Sequence, residues 1–417
     1  MYNGTSSNKK SFNKLLIRRI IIFMRTLFFT IVLVFMFFEL NAQNITEIDL
    51  TQAKFAEVPA NRIFEEIKFV PLETHKDGLL NIRSTYYLTD KYIIAVRFLQ
   101  GAYLFDRKTG AFIREVSSFG QGPDEYSGFI YPQHGFDEKN NVLFASDNPW
   151  GKSWKSINIE TNKIESLLKK TLPENDESFS ATAPWLIKEN IYVSFCNNRT
   201  GKDKVRLVVF NKDGNIIKKY PNYLEYDRGE SVSSPSNSGI FYFYDGLTCF
   251  KEWNYNDTVF SVDEKNMLPR IIFKLGNKQP SYYHQKNSDY DKGKYLINFV
   301  HECNTFVLFN FSHFTEITNV SGISNPKASL YTGYYDKKSK QTYISSTPDF
   351  KTAGYYIAGI PVSFYPISIN KNNEMVAIIN PEELFKNKDS IDSKYKHLFQ
   401  NIQEDDNPIL IIAKLKD

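Results

Sequence analysis

AYLFDRKTGAFIREV, residues 102–116, carries the reading of this chain in miniature. Two runs rich in aromatic and branched side chains flank Asp106 to Gly110. An Asp opens such a turn by accepting from nearby backbone N–H groups, and a Gly closes it by adopting a positive φ. The spacing predicts a β-hairpin. The pattern returns as SINIETNKIESL at 156–167, RLVVFNKDGNIIKKY at 206–220, TVFSVDEKNMLPRIIF at 258–273 and YTGYYDKKSKQTYI at 331–344. Asp106, Glu160, Asn211, Asp263 and Asp336 are read as opening the turns, at separations of 54, 51, 52 and 73 residues. Further short strands precede the hairpins, as in YIIAV from Tyr92, VLFAS from Val142 and IYVSF from Ile191. Four short strands in a repeat of about fifty residues is the spacing of a β-propeller blade.

The ends of the chain complete the count. EIKFVPLE at 66–73 and NPILIIAKLK at 407–416 are strand-like, and the runs Phe364–Ile369 and Glu374–Asn380 supply two strands without a hairpin of their own. Pairing of the terminal strands with these two makes a composite sixth blade and leaves no open sheet edge in the ring. Residues 43–417 are therefore expected to form one all-β domain, a six-bladed β-propeller of four-stranded antiparallel blades. A short helical insertion is expected near 381–401, where Pro381, Glu382 and Glu383 make a good helix start.

Composition agrees. The chain of 417 residues is 15% aromatic and 24% charged, which excludes low-complexity disorder. Its net charge of +4 is concentrated at the N-terminus. Residues 1–42 hold six basic groups (Lys9, Lys10, Lys14, Arg18, Arg19 and Arg25) against Glu39, which leaves the remainder at −1. A near-neutral body lacks the basic footprint of a phosphate-backbone binder, so nucleic acid is not an expected partner.

LFFTIVLVFMFF at 27–38, preceded by Arg25 and followed by Glu39-Leu-Asn-Ala42, has the form of a secretory signal peptide cleaved after Ala42. Met24 is a candidate start. An uncleaved anchor over Ile20–Phe38 is the rival, with Arg25 interrupting the span. No cysteine follows the apolar run to take a lipid. The expected location is the periplasm or the cell exterior of a Gram-negative bacterium, with no membrane span once the signal is removed. Cys196, Cys249 and Cys303 lie 53 and 54 residues apart, matching the blade period, and are expected to be buried and unpaired.

FVPLET at 69–74, FGQGPDEY at 119–126, KEWNYNDTVF at 251–260 and the terminal NPILIIAKLK together resemble the secreted bacterial six-bladed β-propeller family, which is related to NHL-repeat propellers. The resemblance spans residues 45–417. It implies the propeller fold and export, and no particular reaction.

Candidate sites are few. In the FGQGPDEY stretch, Gly120 and Gly122 permit a sharp turn, while Gln121, Asp124, Glu125 and Tyr126 offer an amide, two carboxylates and a ring to a ligand at the channel mouth. The alternative is a fold clasp whose polar groups cap neighbouring backbone. Ser146–Trp154 departs from the Asp-box of sialidase-type propellers, because Gly151 stands four residues after Asp147. The six histidines (His75, His134, His284, His301, His313 and His397) show no metal-binding spacing, and no GxSxG elbow is present. No cofactor is expected. Aromatic clusters at Phe241–Tyr244, Tyr282-Tyr283 and Tyr355-Tyr356 are read mainly as core. The long polar loops at 221–239 and 276–295 are alternative binding regions. The function expected is a monomeric, non-catalytic propeller that binds a glycan, a peptide or an envelope protein at one face. The alternatives are a propeller enzyme of the lactonase or lyase type, with inner-strand acids holding a divalent cation in the channel, and a subunit of an envelope complex.

Overall fold

The side chain of Asp106 accepts from the backbone N–H of Lys108 (3.0 Å) and Thr109 (2.8 Å), and from the Thr109 hydroxyl (2.8 Å), which closes the hairpin that the sequence predicts. Gly110 follows at φ 73°, where a Cβ would stand 1.9 Å from the Pro71 carbonyl oxygen. Asn211, Asp263 and Asp336 close their turns in the same way. In the second hairpin the opener is Asn158, which accepts from the N–H groups of Glu160 and Thr161, so the assignment to Glu160 is corrected. Glu has too long a side chain to fold back on the next two amides. With Asn158 in place, the openers stand 52, 53, 52 and 73 residues apart.

The computed structural model describes residues 24–25 and 45–416, apart from 82–83, 98–100, 121, 123–124, 127–134, 147–152, 170–179, 228–238, 285–290, 321–322 and 345–353. The predicted signal peptide, apart from Met24 and Arg25, lies outside the described residues. So do Gln121, Asp124 and most of the Ser146–Trp154 stretch. Residues 47–417 form one compact unit. Among the described residues no helix is long and apolar enough to cross a membrane.

Six antiparallel sheets stand in a ring as a six-bladed β-propeller. Blade I holds Thr85–Leu88, Tyr92–Val96, Ala102–Asp106 and Phe112–Val116. Blade II holds Gly135–Asp137, Val142–Ser146, Ser153–Asn158 and Lys163–Lys169. Blade III is built on Trp185–Lys188, Ile191–Asn197, Val205–Asn211 and Ile216–Pro221. Blade IV comprises Gly239–Tyr244, Leu247–Glu252, Thr258–Val262 and Met267–Lys274. Blade V comprises Tyr295–Glu302, Phe306–Val320, Ile323–Asp336 and Gln341–Ile344. Its second and third strands extend to 15 and 14 residues, which accounts for the 73-residue interval.

Blade VI closes the ring. Its strands run Ser368–Ile369, Glu374–Ile379, Ile409–Leu415 and then Phe64–Pro71 from the other end of the chain, with Phe69 opposite Ile411. The insertion before Ile409 contains the helices Pro381–Lys386 and Ser393–Phe399, capped by the side chains of Asn380 and Asp392. Two edge strands were not anticipated: Thr46–Asp49 adds to the outside of blade IV, and Lys54–Phe55 pairs in parallel with blade V.

Apolar side chains gather in six clusters among the described residues, one in each gap between neighbouring blades. Stacked sheets need large side chains to fill the roughly 10 Å between them, which explains the aromatic content. The three cysteines form no disulfide and are buried in three different gaps: Cys196 between blades II and III, Cys249 between IV and V, and Cys303 between V and VI. Charged clasps add to the apolar contact. Glu302 of blade V, 2% exposed on its side chain, receives Arg270 of blade IV at 2.6 Å and Lys337 at 2.6 Å. Both cations also lie over the Tyr244 ring.

Candidate functional site

The first and third strands of each blade run away from the face at which the chain enters a blade, and the second and fourth run back to it. The inter-blade connections and the loops between second and third strands therefore share one face. The turn at Ser118–Tyr126 and the loops at 221–239 and 276–295 are all inter-blade connections, so these rival binding regions belong to the same face. Two of them are joined directly, since the Asp227 N–H donates to the Tyr283 carbonyl at 2.8 Å.

A cavity of about 620 Å³ lies between the inner strands of blades I, III, IV, V and VI. Its wall uses the beginnings of first strands (Thr85, Trp185, Ile240, Leu296 and Ser368), Trp253 just past the second strand of blade IV, and Ser312 and Phe314 of blade V, where Ser312 stands opposite Leu296. It therefore occupies the half of the channel towards the face of the inter-blade loops. Towards the other face, hairpin turns meet across the ring. The Lys371 N–H donates to Glu138 at 2.7 Å, and burial pushes the Glu138 carboxyl up to about 7 against the pull of that donor.

Three asparagines shape the wall. Asn298 is the extra residue of a β-bulge between Ile297 and Phe299, a device that re-aims a side chain out of the regular ladder. Its amide nitrogen donates to Ser312 Oγ at 3.2 Å, and its amide oxygen is buried without a partner. Asn310, on the neighbouring strand, is 0% exposed, and neither polar atom of its side chain has a partner in hydrogen-bonding geometry. The Tyr365 hydroxyl feels the Asn310 amide nearby, while burial pushes that phenol up to about 12. Asn254 adopts φ 63°, a left-handed conformation that Asn tolerates better than most residues. Its N–H donates to the Ile297 carbonyl at 2.8 Å.

The KEWNYND segment builds this corner. Lys251 is 0% exposed, and its ammonium donates to the carbonyls of Glu252 and, at 3.3 Å, of Ile297. Burial pushes it down to about 7. Glu252 pairs with Arg206 of blade III and accepts from the Tyr282 hydroxyl at 3.0 Å. Tyr255 donates to Asp291 at 2.7 Å, and burial pushes that carboxyl up to about 6 against the pull of this bond. The segment thus ties blade IV to blade III, blade V and the 276–295 loop, and presents Trp253 and Asn254 to the cavity.

Aromatic rings complete the wall. Trp185 stacks on Phe241 with centroids 6.0 Å apart and planes 20° from parallel, and lies 5.3 Å from Phe243. Its indole N–H is buried without a partner. Among the described residues of the wall there is no Asp, Glu, His, Lys or Arg.

The residues singled out in the sequence are placed differently. Tyr126 is 0% exposed, packs in the core between blades I and II, and its hydroxyl accepts from the Ala102 N–H at 3.2 Å. Glu125 folds back to accept from the Gly122 N–H at 2.8 Å. Lys155 of blade II donates to the Gly122 and Glu125 carbonyls at 3.2 and 2.5 Å. These bonds describe a clasp between two blades, the alternative that the sequence left open. Trp185, Asn254, Asn298 and Asn310 went unnoticed as site residues. An Asn inside the apolar runs LINFV and LFNFS was the available signal, since Asn is depleted from strands.

A family model for a domain of unknown function, DUF4934, matches residues 45–414. A search of curated proteins gives no match. Among solved structures, a Bacteroides fragilis NCTC 9343 protein whose name presumes export is similar at 17% identity, with 90% of this chain and 100% of that one covered and a TM-score of 0.64. At that identity the likeness shows the fold alone. The computationally designed Ika8 protein (13% identity, 75% and 84% covered, TM-score 0.36) and U3-55K (9%, 85% and 99%, TM-score 0.40) are more distant.

Proposed function

The chain belongs to the DUF4934 family, and on that premise we propose that it is an exported, non-catalytic propeller that binds a ligand or protein partner at one face of its ring. Export rests on the basic and apolar leader ending at Ala42, and the presumed export of the Bacteroides fragilis protein supports it. The site is the cavity at the face of the inter-blade loops. One observation carries the reading: bulged, left-handed and unpartnered asparagines cluster in the wall of a single cavity. Irregular backbone and unsatisfied polar groups cost stability, and they persist where a site needs them. The described wall offers no carboxylate or imidazole to a channel cation, which favours binding over the lactonase-type reading.

A thermal-shift screen against the native protein and a plugged Ser312→Trp variant tests this. A true ligand raises the melting temperature of the native protein by mass action and leaves the variant unmoved. Compounds that stabilise both alike overturn the placement of the site. A chelator is expected to leave the melting temperature unchanged; a fall of several degrees restores the cation-dependent enzyme.

A further inference from the structure

We infer that the central cavity takes a neutral sugar ring, as a free saccharide or as the end of a neutral glycan. This rests on the reading of the cavity as the binding site, and three properties of the wall select the ligand class.

Charge comes first. The described wall carries amides, hydroxyls and aromatic rings but no ionised side chain. An ion taken into such a space loses its hydration and finds no counter-charge, a cost beyond what hydrogen bonds return. Phosphorylated, carboxylated and cationic ligands are selected against.

Polarity comes second. Asn298 Oδ1 and the Trp185 indole N–H have no partner among the described groups, and the Asn310 amide has only the nearby Tyr365 hydroxyl. An orphaned buried donor or acceptor carries its desolvation cost with nothing to offset it. A hydrocarbon would leave those atoms as they are. Asn254, Asn298 and Ser312 are half-buried at the wall, and a hydroxyl both donates and accepts, so a polyol answers amide and hydroxyl groups together.

Shape comes third. Trp185 already lies against Phe241 and Phe243, so these rings form a closed stack with no slot for a flat base to enter. A closed stack is a one-sided platform. A pyranose has an apolar face to lay on such a platform and a rim of hydroxyls to reach Asn254, Asn298 and Ser312. The cavity volume falls in the range of small-molecule sites.

Tryptophan fluorescence reads the test directly, because Trp185 and Trp253, two of the four tryptophans, line the cavity. The signal-processed protein is titrated with methyl glucoside, methyl mannoside, methyl galactoside, N-acetylglucosamine, cellobiose, lactose and chitobiose. Glucuronate, glucosamine, adenosine and cyclohexanol are the counter-probes. At least one neutral sugar is expected to bind at about 1 mM or tighter, with its uronate or amino analogue at least about tenfold weaker. Asn298→Ala should weaken the sugar by about tenfold or more and keep the fold. Should that variant unfold, Asn310→Leu, close in volume and free of the amide, takes its place and should lose the sugar while remaining folded. A charged analogue that binds as tightly as its neutral parent overturns the inference. So does silence from every sugar, or sugar binding that survives both variants. Adenosine or cyclohexanol binding in the native protein but not in Ser312→Trp overturns the sugar while upholding the cavity. Stabilisation of native and plugged protein alike defeats the cavity itself.

Discussion

Replacing Lys251 by Met should flatten the dependence of stability on pH above neutrality. Lys251 is 0% exposed, and burial pushes its ammonium from 10.5 down to about 7. Between those values the unfolded chain binds a proton that the folded chain has released, so native stability rises as pH rises through that window. The penalty for charging Lys251 in the fold is greatest below pH 7 and fades towards 10.5. Linkage over pH 7 to 9 gives a rise of about 2 kcal/mol from this one group. Met keeps the length and packing of the stem but has nothing to titrate. Its cost is the bond to the Glu252 carbonyl, about 1 kcal/mol at every pH, while the Ile297 carbonyl keeps the Asn254 N–H. Urea unfolding at pH 7, 8 and 9 for both proteins measures the difference, and subtracting the profiles removes the tyrosines and cysteines common to both. The Met variant should be as stable as the native protein or more so at pH 7, and lose ground as pH rises. Parallel profiles would refute the argument and mean that Lys251 stays charged through its carbonyl partners.

Glu302→Ala should cost about 3 kcal/mol in denaturant unfolding, because it leaves Arg270 and Lys337 facing each other with no anion between them; a change below about 1 kcal/mol would count against the clasp. Tyr126→Phe should lose about 1 kcal/mol through the Ala102 N–H, with no effect on binding of any cavity ligand, whereas loss of binding at unchanged stability would return Tyr126 to the site. Thiol titration without reductant should find the native protein unreactive and three thiols exposed in guanidinium, and one thiol in the unfolded protein would reveal a disulfide.

The hairpins and their period were legible because each rests on local chemistry, and the closure of the ring was legible by count, from two strand-like ends and two strands without a hairpin of their own. An Asp or Asn side chain reaches amides two and three residues on, and that bond needs no distant partner. The one misplaced opener, Glu160 for Asn158, shifted a turn by two residues and left the blade count intact. The edge strands Thr46–Asp49 and Lys54–Phe55 were not legible, since they pair with sheets more than two hundred residues away and carry no alternation of their own. The cavity was less legible still. Trp185, Asn254, Asn298 and Asn310 come from three blades, and only ring closure sets them around one space. FGQGPDEY drew the eye because turn chemistry is written locally, yet its Glu125 accepts from the Gly122 N–H and its Tyr126 hydroxyl is taken by the Ala102 N–H and the Glu115 side chain. An asparagine in an apolar strand reads as a flaw until the tertiary fold supplies a bulge to turn it and a cavity for it to face. The hairpins answer to bonds a few residues long, whereas the site answers to packing between blades and exists only once both ends of the chain have closed the ring.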